Sequence, residues 1–139
     1  MKKILICSFV VSAFIISGSC SSKKPPTPPP PAEANLVVTL NPPVNTTQAA
    51  APQTDFPLTV SITSTMPSGG VTISVSAKKD DGSGSAAFFT TSSNTSSSTS
   101  NFTITGTPVN VVCLTTVTVT SRSLASNTWT GTYRYSRKP

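Results

Sequence analysis

The sequence contains no histidine, and its only acidic residues are Glu33, Asp55, Asp80 and Asp81. Nucleophilic catalysis needs a base beside the nucleophile, and acid–base or metal chemistry needs clustered carboxylates or imidazoles. The shortage of both argues against an enzyme and against a bound cofactor, so none is expected. Asp80 and Asp81 sit in the run Lys79-Asp80-Asp81-Gly82-Ser83-Gly84. There they read as turn residues rather than calcium ligands, because hard-cation sites gather more carboxylates. Positive charge is also thin. Once Lys2 and Lys3 are set aside with the leader described below, the bases are Lys23, Lys24, Lys78, Lys79, Arg122, Arg134, Arg137 and Lys138. They form no dense stripe, which excludes a nucleic-acid surface. The three cysteines provide no disulfide framework: Cys7 lies in an apolar leader, Cys20 ends it, and Cys113 stands alone in the body.

What is present is hydroxyl. Serine and threonine make up roughly a third of the chain while charged residues are 10%, a balance unlike that of cytosolic globular proteins. The N-terminus runs Met1-Lys2-Lys3, then thirteen largely apolar residues from Ile4 to Ile16, then Ser17-Gly18-Ser19 before Cys20. This is the order of a charged region, an apolar region and a small-residue cleavage site. Thirteen helical residues reach about 20 Å, short of the roughly 30 Å hydrocarbon core, so a spanning helix is the weaker reading.

A cysteine directly after the small residues resembles a bacterial lipoprotein signal, of the relaxed Ser-Cys form common in Bacteroidota. Ser17 departs from the aliphatic residue usual three positions before the cysteine. The resemblance implies cleavage before Cys20 and acylation of its thiol and new amine. An ordinary secretory signal with an incidental cysteine is the alternative. Multiple acyl chains would make membrane attachment effectively stable, and the resemblance favours the outer membrane, with the periplasmic face and the cell surface both open. Residues 1–19 are thus read as signal peptide and 20–34 as a lipid-anchored linker. Pro25-Pro26-Thr27-Pro28-Pro29-Pro30-Pro31 cannot enter helix or sheet and is expected to form a disordered, semi-rigid stalk of polyproline II character.

From residue 35 to 139 the signal is strict alternation, the mark of half-buried strands. Phe56, Leu58, Val60 and Ile62 share one face; so do Val71, Ile73, Val75 and Ala77. The same parity runs through Leu36, Val38 and Leu40, through Phe102 and Ile104, through Val109, Val111, Cys113, Val117 and Val119, and through Trp129, Tyr133 and Tyr135. No window has helical spacing. A further strand is expected from about Ser85 to Thr91. Met66–Gly70 and Lys79–Gly84 carry the proline, aspartate and glycine of hairpin turns. Ser92–Asn101 and Ala49–Thr54 read as loops.

Seven strands in about a hundred residues predict an all-β, antiparallel sandwich. Asn101–Gly106 and the alternation through Thr120 resemble the fifth and sixth strands of fibronectin type III and related bacterial Ig-like modules. Two features of that pattern are missing: Thr115 stands where a corner tyrosine is expected, and no cysteine near Val60 can pair with Cys113. The expected architecture is a single seven-stranded Ig-like sandwich with Cys113 packed as a small hydrophobe and with Phe56, Phe102 and Trp129 as anchors.

Function is then expected from display rather than chemistry. The first expectation is an envelope module for adhesion or protein–protein interaction, contacting the membrane through acylated Cys20 and an unknown protein or glycan. A glycan-binding accessory lipoprotein and a structural subunit of a surface assembly are the alternatives. Trp129, Tyr133 and Tyr135 are the candidate ligand contacts, because an aromatic row can stack on sugar rings. The hydroxyls of Thr128, Thr130 and Thr132 make the better solvent face, so the same aromatics also read as core.

Overall fold

The computed structural model describes residues 32–139, which fall in one compact unit, Pro31–Pro139. The leader, Cys20 and the proline run lie outside the described residues. The strands are β1 (Val38–Asn41), β2 (Phe56–Ile62), β3 (Val71–Lys79), β4 (Phe89–Thr95), β5 (Thr99–Ile104), β6 (Val112–Ser121) and β7 (Thr128–Ser136). They form two antiparallel sheets, β1-β2-β5 and β4-β3-β6-β7, with no helix among the described residues. In an immunoglobulin constant domain the fourth strand joins the sheet of the first, second and fifth. Here β4 pairs with β3.

Alternation explains the packing. β2 and β3 bury every second residue, and Val71, Ile73, Val75, Ala77, Ile104, Cys113, Val117 and Val119 are fully enclosed. Each enclosed branched side chain contributes roughly 1.5–3 kcal/mol through apolar area removed from water. Cys113 is a free thiol inside this core. The largest enclosed side chains are Tyr133 and Tyr135, 2% and 1% exposed. Of the expected anchors, Phe56 is buried, but Phe102 and Trp129 are only half-buried. Phe102 lies on an edge strand with cover on one side only. Trp129 lies over Gly131, where an added Cβ would collide with the indole and with Val44 Cγ1.

Two expected turns differ in kind. Lys79–Gly84 does begin the connection between paired strands β3 and β4, with Gly82 and Gly84 at positive φ. Met66–Gly70 instead crosses between the sheets, since β2 and β3 do not pair. Its Gly70 amide donates to the Pro67 carbonyl (2.8 Å) with φ of 73°, turn chemistry that serves either connection. The expected loop Ser92–Asn101 is mostly strand: β4 runs to Thr95 and β5 starts at Thr99, leaving Ser96–Ser98 as the link. The strand placed at Ser85–Thr91 correspondingly starts later, at Phe89.

Residues 42–51 cross from one sheet to the other. After β1 and the cis Asn41–Pro42 bond, the chain lies along the outer edge of β7, with parallel bridges Thr47–Arg134 and Ala51–Arg137. The Asn45, Gln48 and Ala51 amides donate to the Thr132, Arg134 and Ser136 carbonyls at 2.7, 2.8 and 3.1 Å. Ala49–Thr54 is therefore partly tied down rather than wholly loop. At the other end of β7, buried Asn127 fixes the start of the domain. Its Nδ2 donates to Glu33 Oε1 (2.6 Å) and the Ala34 carbonyl (2.9 Å), and its Oδ1 accepts from the Leu36 amide (3.0 Å).

Candidate functional site

The register places opposite parity on the outer face of the four-stranded sheet. Asn94, Thr72, Thr120 and Thr128 form one row across β4, β3, β6 and β7. Ser92, Ser74, Thr118 and Thr130 form the next, and Thr90, Ser76, Thr116 and Thr132 the third. Rows of directly opposed residues repeat about 4.8 Å across strands and about 6.8 Å along them. All twelve side chains are hydroxyl or amide, and none is buried. Neighbours bond in pairs: Thr72 Oγ1 donates to Asn94 Oδ1 (2.7 Å), Ser74 and Ser92 Oγ lie 3.2 Å apart, and Thr128 Oγ1 donates to Thr120 Oγ1 (3.1 Å). Such cross-strand pairs contribute roughly 0.2–1 kcal/mol each and hold the side chains in register.

Charge is kept off this lattice. Residues 82–121, which supply β4, β5 and β6, include no Asp, Glu, Lys or Arg. The next row holds Lys78, Leu114 and Arg134, with Arg134 Nε ion-paired to Asp80. This exposed pair adds little stability. The Ser83 hydroxyl and amide both donate to Asp81 and hold its carboxyl below the usual value, the arrangement of an Asx turn. Among the described residues no group of three His, Cys, Asp or Glu side chains is placed to hold a metal. Burial pushes the Cys113 thiol up, which favours the protonated, poorly nucleophilic form.

The structure brings Tyr133 and Tyr135 together in the core, ring centroids 6.0 Å apart, with Phe56 4.5 Å from Tyr135. They do not form an exposed stacking row with Trp129. Burial holds both phenols above their ordinary value. Tyr135 and buried Thr107 share a hydrogen bond (3.0 Å), while Thr115 Oγ1 and the Tyr133 phenol, on facing positions of β6 and β7, are buried near each other with no well-formed hydrogen bond to any of the described residues. Thr115, in the place of the expected corner tyrosine, is thus a core residue.

Both tyrosines also line a cavity of about 230 Å³ beneath the crossing segment, with Pro42, Gln48, Ala49 and Phe56. That is below the roughly 300–1,000 Å³ usual for small-molecule sites. The hydroxyl lattice is the larger prepared surface. Alternation revealed that a hydroxyl face exists, but only the register shows that four strands align it into rows. The cavity depends on residues 42–51 reaching β7, for which the sequence carries no periodic signal.

The chain matches no protein-family model, no curated protein and no solved structure.

Proposed function

We propose that this chain is a non-catalytic display module of the cell envelope, anchored in the outer membrane through acylated Cys20, that mediates adhesion or protein–protein contact. The observation that carries this reading is the uncharged twelve-residue lattice on the outer face of the β4-β3-β6-β7 sheet. A surface of paired hydroxyls offers many weak directional hydrogen bonds and no electrostatic bias, which suits contact over an area rather than turnover of a substrate. Lys23 and Lys24 follow the cysteine, where each would gain on the order of 1 kcal/mol from an anionic membrane surface.

Two measurements test it. Intact-mass spectrometry of the native protein is expected to show a chain beginning at a lipid-modified Cys20, and an unmodified thiol there overturns the anchor. Cells carrying the double variant Thr118→Lys and Thr130→Lys are expected to lose adhesion relative to wild type at equal surface abundance. Unchanged adhesion removes the lattice from the reading.

A glycan-binding accessory lipoprotein is the second reading, favoured by the cavity that sets Gln48 and Gln53 beside two phenols. Tyr133 and Tyr135 line that cavity, so oligosaccharide entering it would shift the near-UV circular dichroism of these rings. A tyrosine signal that stays constant across an oligosaccharide panel excludes it.

A further inference from the structure

The sandwich has two lateral sides, and they are built differently. On one, β7 is covered by residues 45–51, and β1 is four residues long and ends at Pro42-Pro43. On the other, β4 and β5 are the outermost strands of their sheets, seven and six residues long, and no strand lies beyond either among the described residues. Ser96–Ser98 carries the chain from one to the other, so the two free edges adjoin.

An unpaired edge offers a row of backbone donors and acceptors to any extended chain, and proteins ordinarily block it with lysine, proline or a bulge. β4 has none of these. Its sequence is Phe-Thr-Thr-Ser-Ser-Asn-Thr, no residue in it is buried, and it belongs to the charge-free span 82–121. Its first residue, Phe89, and the preceding Phe88 are both half-buried. Apolar rings left partly wet next to an open edge favour a strand that would cover them.

We infer that the β4 edge pairs antiparallel with the β4 edge of a second copy of this chain, about a two-fold axis at Ser92. This deepens the display reading by naming one partner and rests on that reading only for its setting, since the contact itself does not involve Cys20. The pairing chemistry within the sheet selects this occupant. About that axis Ser92 opposes Ser92 of the second copy, and Thr90 opposes Asn94. Those are the residue types already opposed inside the sheet, Ser74 with Ser92 and Thr72 with Asn94. Phe89 would then face Thr95 of the second copy, covering its open side. Like charges do not meet, because the segment has none. The two four-stranded sheets become one of eight strands, and the hydroxyl lattice doubles its width. The symmetric contact is self-limiting: each copy uses its one β4 edge, and the assembly closes as a pair.

The test is sedimentation of the full acylated chain in density-matched detergent, alongside the full-length Cys20→Ala chain in buffer. Both are expected at the mass of two chains. Ser92→Lys sets two ammonium groups against each other at the axis and is expected to halve the mass. An equimolar mixture of Ser92→Lys and Ser92→Glu chains is expected to restore it. Ser74→Lys, on the same face but one strand inward, is expected to leave the pair intact, and near-UV circular dichroism from Tyr133 and Tyr135 reports that each variant is folded. A wild-type chain of single mass overturns the inference, as does a Ser92→Lys chain of unchanged mass or equal loss in Ser74→Lys. A native wild-type chain that runs as a pair but carries no lipid at Cys20 would sink the anchored setting and leave the edge contact standing.

Discussion

The β7 side of this sandwich and the β4–β5 side solve the same problem in opposite ways. On the β7 side the chain covers its own edge. Residues 45–51 take up the outward carbonyls of Thr132, Arg134 and Ser136, and the Arg134 amide donates to the Thr46 carbonyl at 2.8 Å. The two largest core side chains and the cavity lie beneath that cover. On the β4–β5 side no strand among the described residues covers the edge. The strands hold by backbone bonds to one neighbour and by hydroxyl pairs, and the phenylalanines there are only half-buried. The lesson is one of contrast: the largest buried side chains lie where the edge is closed, and the open edge keeps half-buried rings.

The largest test of that contrast is a pair of truncations. Tyr135→Ala removes a side chain 1% exposed, packed at a tilt against Phe56 and bonded to Thr107, and is expected to cost about 3–5 kcal/mol. Phe102→Ala, on the open side, is expected to cost less than half of that, because its ring is already partly in water. Urea unfolding measures both, and equal costs would erase the distinction.

Alkaline titration comes next. Burial raises the Tyr133 and Tyr135 phenols above the ordinary value of 10.0, so above about pH 10 the unfolded chain loses protons that the folded chain retains. Stability then falls with rising pH until the folded phenols also ionise, at up to about 1.4 kcal/mol per pH unit for each phenol. The urea midpoint is expected to hold from pH 7 to 9 and drop beyond 10, with a smaller drop in Tyr135→Phe. A midpoint independent of pH to 12 contradicts the burial of these phenols.

Gly131→Val is expected to cost about 1–3 kcal/mol by displacing Trp129 and the covering residue Val44. Amide exchange at Arg134 should accelerate in this variant while that in β4 stays as it was. The smallest effect is expected on the open side. Asn94→Ala breaks its bond with Thr72 and should cost less than about 1 kcal/mol, seen as a small shift in the thermal midpoint. A cost as large as that of Gly131→Val would mean that β4 carries more of the fold than its exposure indicates.

Much of this architecture is legible as parity. Phe56 to Ile62 and Val71 to Ala77 announce a buried face and a wet one without any tertiary knowledge, and the inward placement of Cys113 follows from its neighbours Val111 and Val117. Where both faces are wet, parity falls silent. Ser92–Asn101 reads as loop because serine, threonine and asparagine on both faces leave no apolar beat, and its strands are fixed by β3 and β2 instead. The link at Met66–Gly70 misleads for another reason: a turn closes the same way whether the next strand pairs with the last or passes to the opposite sheet. The hydroxyl face could be foreseen, but its rows could not, because register depends on partners distant in sequence.

A span of forty residues, 82–121, without a carboxylate, amine or guanidinium gives counter-ions nothing to gather on and leaves dissolved salt nothing to screen. Contacts made along that flank should keep their strength from fresh water to brine, where an interface of opposite charges would loosen as the medium thickened.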